Sequence, residues 1–119
     1  MARSRSFRSA VLVAYVAVML VALLMPVPSS LAPGGQFDKL VHVALFMGLA
    51  LLVVWSAGPG RPHRIGVALG TAVALAAVIE VLQAVLPYRS GDIVDFAAGA
   101  VGAGIGAFLC RWMQSRPAA

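Results

Sequence analysis

Residues 80–106 read EVLQAVLPYRSGDIVDFAAGAVGAGIG, two apolar segments joined by one short hydrophilic turn. This stretch holds three of the chain's four acidic residues, Glu80, Asp92 and Asp95. An ionisable group inside an apolar span costs about 2.5–3.5 kcal/mol on insertion scales, so it persists where it is partnered or used. The turn and its flanks are therefore the leading functional candidate.

Composition supports the membrane reading of those apolar segments. Of 119 residues, 61% are hydrophobic and 11% charged, far from the roughly 25% charged of soluble domains. The fold class expected is all-α, an integral membrane four-helix bundle forming one domain over residues 1–119. Its helices are expected at about 9–27, 39–57, 65–86 and 92–110. The single cysteine, Cys110, allows no intramolecular disulfide and reads as a small buried apolar residue. A net charge of +5 raises nucleic acid as a partner, but that needs a basic stripe on a folded surface. Here the arginines sit at the ends of apolar segments, where attraction to anionic lipid head groups explains them, so no nucleic-acid partner is expected.

The first apolar run, residues 10–25, follows Arg3, Arg5 and Arg8 and is closed by Pro26 and Pro28. Sixteen helical residues reach roughly 24 Å, short of the ~30 Å hydrocarbon core but sufficient with snorkelling flanks. A basic start, an apolar stretch and Ser30-Leu31-Ala32 also imitate a cleavable signal peptide. Pro33 after Ala32 and three further spans argue against cleavage.

In the second span Asp38 is placed to cap the helix, with His42 one turn deeper on the same face and Lys39 and Phe46 close to it. The third span is apolar except for Thr71, Glu80 and Gln83. Glu80 lies seven residues before Pro87, about 10 Å below the helix end. Ala72 and Ala76 keep its face narrow. After Pro87-Tyr88-Arg89-Ser90-Gly91, Asp92 is expected to cap the fourth helix. Gly99, Gly102 and Gly106 follow Asp95 at four, seven and eleven residues, a small-residue stripe for close helix packing within the monomer or across a dimer.

Orientation follows from the basic residues. With the N-terminus inside, Arg3, Arg5, Arg8, Arg61, Arg64, Arg111 and Arg116 are cytoplasmic and only Lys39 and Arg89 lie outside. Both termini are then cytoplasmic, and all four acids fall on the outer side. Lys39 and Arg89 offset two of them; a protonated Glu80, a charged His42 or a bound cation must relieve the rest.

Taken in order, Asp38-Lys39-x-x-His42-x-x-x-Phe46, Glu80-x-x-Gln83, Pro87-x-Arg89, Asp95 and Gly102-x-x-x-Gly106 resemble the VanZ-like family of small bacterial membrane proteins, over residues 37–108. The resemblance implies a multi-pass protein of the bacterial inner membrane with an envelope role, the family being named after a protein linked to resistance to teicoplanin-type antibiotics. It names no reaction. One departure is visible: relatives often carry Asn where this chain has Gly99.

Three functions fit these residues. In the first, a non-enzymatic module binds a membrane lipid or lipid-linked envelope precursor in an outer-leaflet pocket through Asp38, Lys39, His42, Glu80, Gln83, Arg89, Asp92 and Asp95, with a divalent cation as a candidate cofactor and antibiotic tolerance as a candidate outcome. In the second, a membrane enzyme acts on a lipid-linked substrate, with Glu80 or Asp95 as general base and His42 as acid or metal ligand. No HExxH or nucleophile motif supports this. In the third, the polar seam sets helix register in a homo-oligomer or a complex with another membrane protein.

Overall fold

The computed structural model describes residues 2–26, 36–88 and 91–116, and among them every element is a helix. Helix α1 spans Ala2–Leu24, α2 Gln36–Ala57, α3 Arg64–Val85 and α4 Ile93–Ser115. All four are long and apolar enough to cross a membrane. The signal-peptide reading falls on Ser30, Leu31, Ala32 and Pro33, and the expected ligand residue Arg89 on the connection after α3. These five positions lie outside the described residues.

Four helix ends differ from the sequence expectation by three residues or more, among them the start of α2 at Gln36 instead of residue 39. α1 begins at Ala2 rather than near residue 9, since nothing in the arginine- and serine-containing start breaks a helix. It ends at Leu24, because the residue before Pro26 is pushed out of helical conformation. α4 continues past residue 110 to Ser115, through Arg111, Trp112, Met113 and Gln114, and ends where Arg116 turns extended at φ −74° and ψ 137°.

The bundle is built around α2, which packs on each of the other three helices and most extensively on α4, while α3 also meets α1 and α4. The sequence makes that order. On α4, Gly99, Gly102, Ala103, Gly106 and Ala107 are all buried on one face. A Cβ at Gly102 would collide with the Val43 carbonyl oxygen and lie 2.9 Å from its carbonyl carbon; one at Gly106 would lie 2.8 Å from the Met47 carbonyl oxygen. The glycine stripe is therefore an intramolecular seam that brings the α2 and α4 backbones together. On α3, Ala68, Ala72 and Ala76 are buried at intervals of four residues, followed by Ile79 and Gln83. Met19, Leu23, Phe46 and Leu49 supply the bulky part of the core, and many of the remaining large apolar side chains, such as Val18, Val67, Val81 and Phe108, face outward, as a lipid solvent permits.

The up-and-down path segregates charge by end. At one end Arg8 donates from Nη1 to the Trp55 carbonyl at 3.4 Å and holds its guanidinium 5.4 Å from the indole centre, while Arg116 lies 4.7 Å over Trp112. Arg64 donates to the Gly58 carbonyl at 2.9 Å, across a turn whose Gly58 and Gly60 take φ of 85° and 79°, where a side chain would be strained. The first turns of α2 and α4 and the last turns of α3 form the other end, and all four carboxylates are there.

Candidate functional site

Convergence of three helices makes the site. Asp38, Lys39 and His42 come from the start of α2, Glu80 from α3, and Asp92 and Asp95 from the start of α4. Helices α2 and α4 both point their N-termini toward this end, so their unpaired N–H groups and dipoles favour carboxylates there. Asp92 caps α4 as expected, its Oδ1 accepting from the Val94 N–H at 2.9 Å. Asp38 does not cap α2. That helix begins at Gln36, which places Asp38 inside the first turn.

Lys39 bridges two of the acids. Its Nζ lies 3.5 Å from Asp92 Oδ2 and 3.4 Å from Asp95 Oδ1, tying α2 to the cap and first turn of α4. Asp95 is almost fully buried and Asp92 about one-third exposed, so the pair leads from the interior to the rim.

Glu80 works in two directions. Oε2 accepts the Asp92 backbone N–H at 2.8 Å, so a carboxylate of α3 fixes the entry of α4. Oε1 faces His42 Nε2 at 3.6 Å, too long for a hydrogen bond; each of these atoms is buried and makes no hydrogen bond. The other ring nitrogen, Nδ1, is 3.0 Å from the Asp38 backbone carbonyl. A carbonyl only accepts, so Nδ1 carries a proton. In the neutral ring Nε2 is then a lone pair aimed at Glu80. The meeting of Asp38 and His42 expected from their spacing thus runs through the Asp38 main chain. Side-chain atoms are close as well: one oxygen of Asp38, one of Asp95 and a ring nitrogen of His42 lie within 4.8 Å of one another.

Phe46 holds His42 in place, its ring stacked at 6.2 Å between centroids and 20° from parallel. Gly99 packs against that ring: a Cβ there would lie 3.0 Å from Phe46 Cδ2 and 3.3 Å from Ala76 Cβ, so a side chain would press on the ring that stacks on the histidine.

Gln83 sits apart from these contacts. Its Nε2 donates to the Leu23 carbonyl at 2.6 Å, binding α3 to the end of α1. Its position one turn beyond Glu80 suggested the same pocket, but a residue three positions on is rotated by about 60° from the one it follows, enough to face α1 instead. Tyr15, which the sequence reading passed over, likewise ties α1 to the bundle by donating to the Leu45 carbonyl at 2.6 Å.

Beside the cluster, a groove of about 410 Å³ runs between α3 and α4, lined by Ala77, Glu80, Val81, Ala84, Gly91, Asp92, Ile93 and Phe96. Six of these are apolar or glycine; Glu80 and Asp92 are the polar wall and belong to the cluster too. Sequence reasoning missed the groove, although its signal was present: Ala77 and Ala84 are small residues seven apart, flanking Glu80. Gly91 completes it, since a Cβ there would meet Ala84 Cβ at 2.7 Å.

No curated protein and no solved structure matches the chain. A family model does, described as VanZ/LLP1, over residues 3–114. That range includes Asp38, Lys39, His42, Glu80, Asp92 and Asp95, which the folding of three helices brings together, and the chain belongs to the VanZ/LLP1 family.

Proposed function

We propose that the protein binds a membrane lipid or lipid-linked envelope precursor, with the head group at the Asp38–Lys39–His42–Glu80–Asp92–Asp95 cluster and the hydrocarbon chain in the groove between α3 and α4. The observation that carries this reading is continuity: Glu80 and Asp92 belong both to the polar cluster and to the wall of the apolar groove. A ligand of mixed character, one end polar and the other hydrocarbon, fits a site built that way. Groove residues Val81 and Ile93 are 64% and 81% exposed, so a chain entering from the bilayer meets no barrier. A head group carrying an amine or hydroxyls would pair with the carboxylates directly, and a phosphate would use Lys39, Arg89 or a bridging cation. This reading puts the site in the outer leaflet with both termini cytoplasmic, in accord with the seven-to-two split of basic residues. Tolerance of glycopeptide antibiotics would then follow from capture of an envelope precursor.

The test is a photoactivatable lipid, with a diazirine near the head-group end of its chain, crosslinked to the protein in native membranes. Label concentrated on residues of the α3–α4 groove, and competed away by unlabelled envelope lipid, supports the reading. Label spread evenly over the outward faces of all four helices contradicts it.

A further inference from the structure

We infer that Asp38, His42 and Asp95, with Glu80 at its edge, form a binding site for one divalent transition-metal ion. The inference rests on the cluster itself and stands whether or not a lipid binds.

Four features point to it. Ligand atoms of Asp38, His42 and Asp95 lie within 4.8 Å of one another; neighbouring ligands of a tetrahedral ion with bonds near 2.1 Å are about 3.4 Å apart, so the three side chains close by at most about 1.4 Å to complete the set. His42 is 1% exposed, and its Nε2 is buried without a hydrogen bond. Such an orphaned nitrogen is costly unless something else occupies its lone pair. Nδ1 lies 3.0 Å from the Asp38 carbonyl, the outer-shell arrangement that fixes the tautomer and aims Nε2 of metal-bound histidines. Finally, Glu80 Oε1 is 3.6 Å from Nε2, buried and equally without a hydrogen bond, a spacing suited to two neighbouring ligands sharing an ion.

Charge argues the same way. Among the described residues four carboxylates gather at this end, and the Lys39 ammonium lies against Asp92 and Asp95. A divalent ion offsets negative charge left over inside an apolar span. One imidazole with carboxylates favours Zn²⁺ or Mn²⁺ over Mg²⁺ or Ca²⁺, which prefer oxygen alone. On the lipid reading above, such an ion would present a positive site to a phosphate; that consequence falls if the lipid reading falls, while metal binding does not.

The experiment is titration of chelator-stripped protein in nanodiscs with ZnCl₂ or MnCl₂ alone. The expected result is one ion per chain, weakened by roughly 100-fold or more in His42→Gln and Asp95→Asn and unchanged in His63→Ala. If the His42 and Asp95 variants fail to fold, electron paramagnetic resonance of the Mn²⁺-loaded protein decides. The chain has two histidines, His42 and His63, so a histidine ¹⁴N coupling that persists in His63→Ala assigns the ligand to His42. Absence of a stoichiometric ion, affinity that survives His42→Gln, or a nitrogen coupling lost in His63→Ala overturns the inference.

Discussion

Glu80 Oε2 accepts the backbone N–H of Asp92 at 2.8 Å, so the single carboxylate of α3 holds the residue that caps α4. Position of the cap, and through it of Asp95, depends on a side chain from a different helix. Glu80→Ala removes that acceptor from a partly buried donor and is expected to cost about 1.5–3 kcal/mol. Glu80→Gln keeps an oxygen there and should cost less. Hydrogen exchange at Asp92, combined with thermal unfolding in detergent, checks both.

Lys39 joins Asp92 and Asp95 across the α2–α4 interface. Replacing it by Met leaves the buried Asp95 facing other carboxylates, so Lys39→Met is expected to destabilise the bundle. Asp95→Asn in the same chain should recover part of the loss, because it removes the charge that Lys39 offset. A double-mutant cycle of melting temperatures reads the coupling; additive effects would contradict it.

The α2–α4 seam admits no side chain at Gly102, whose added Cβ meets the Val43 main chain. Gly102→Ala is expected to cost about 1–3 kcal/mol through forced separation of the helices. Gly104, with nothing within 4 Å of its added Cβ, is the matched control, and Gly104→Ala should be neutral or slightly stabilising. The comparison needs only thermal unfolding of the two variants.

Gln83 anchors α1 by its 2.6 Å bond to the Leu23 carbonyl. Gln83→Leu breaks that tie but also removes a buried oxygen without a partner, so the net cost is expected near 1 kcal/mol. Protease sensitivity and hydrogen exchange should rise in the last turn of α1 and stay unchanged at the start of α4, since Gln83 takes no part in the cluster's contacts.

Much of this architecture was legible beforehand because a membrane span writes itself as an uninterrupted apolar run, and four such runs are plain in the sequence. Asp92 as a cap and the glycine face of α4 followed from local rules. What local rules missed was set by neighbours in space. Asp38 was expected at a cap, but the helix starts at Gln36. Gln83 was grouped with Glu80 by spacing, and its rotation toward α1 depends on where α1 packs. The 3.6 Å approach of His42 Nε2 to Glu80 Oε1 joins residues 38 positions apart on different helices, which no period along the chain encodes.

Native mass spectrometry of the protein extracted with its own lipids, comparing wild type with Glu80→Gln and Arg89→Ala, tests the binding reading most directly. A discrete lipid retained by wild type and lost or weakened in folded variants is the predicted result. Wild type that carries no specific lipid, or variants that hold it equally well, would contradict it.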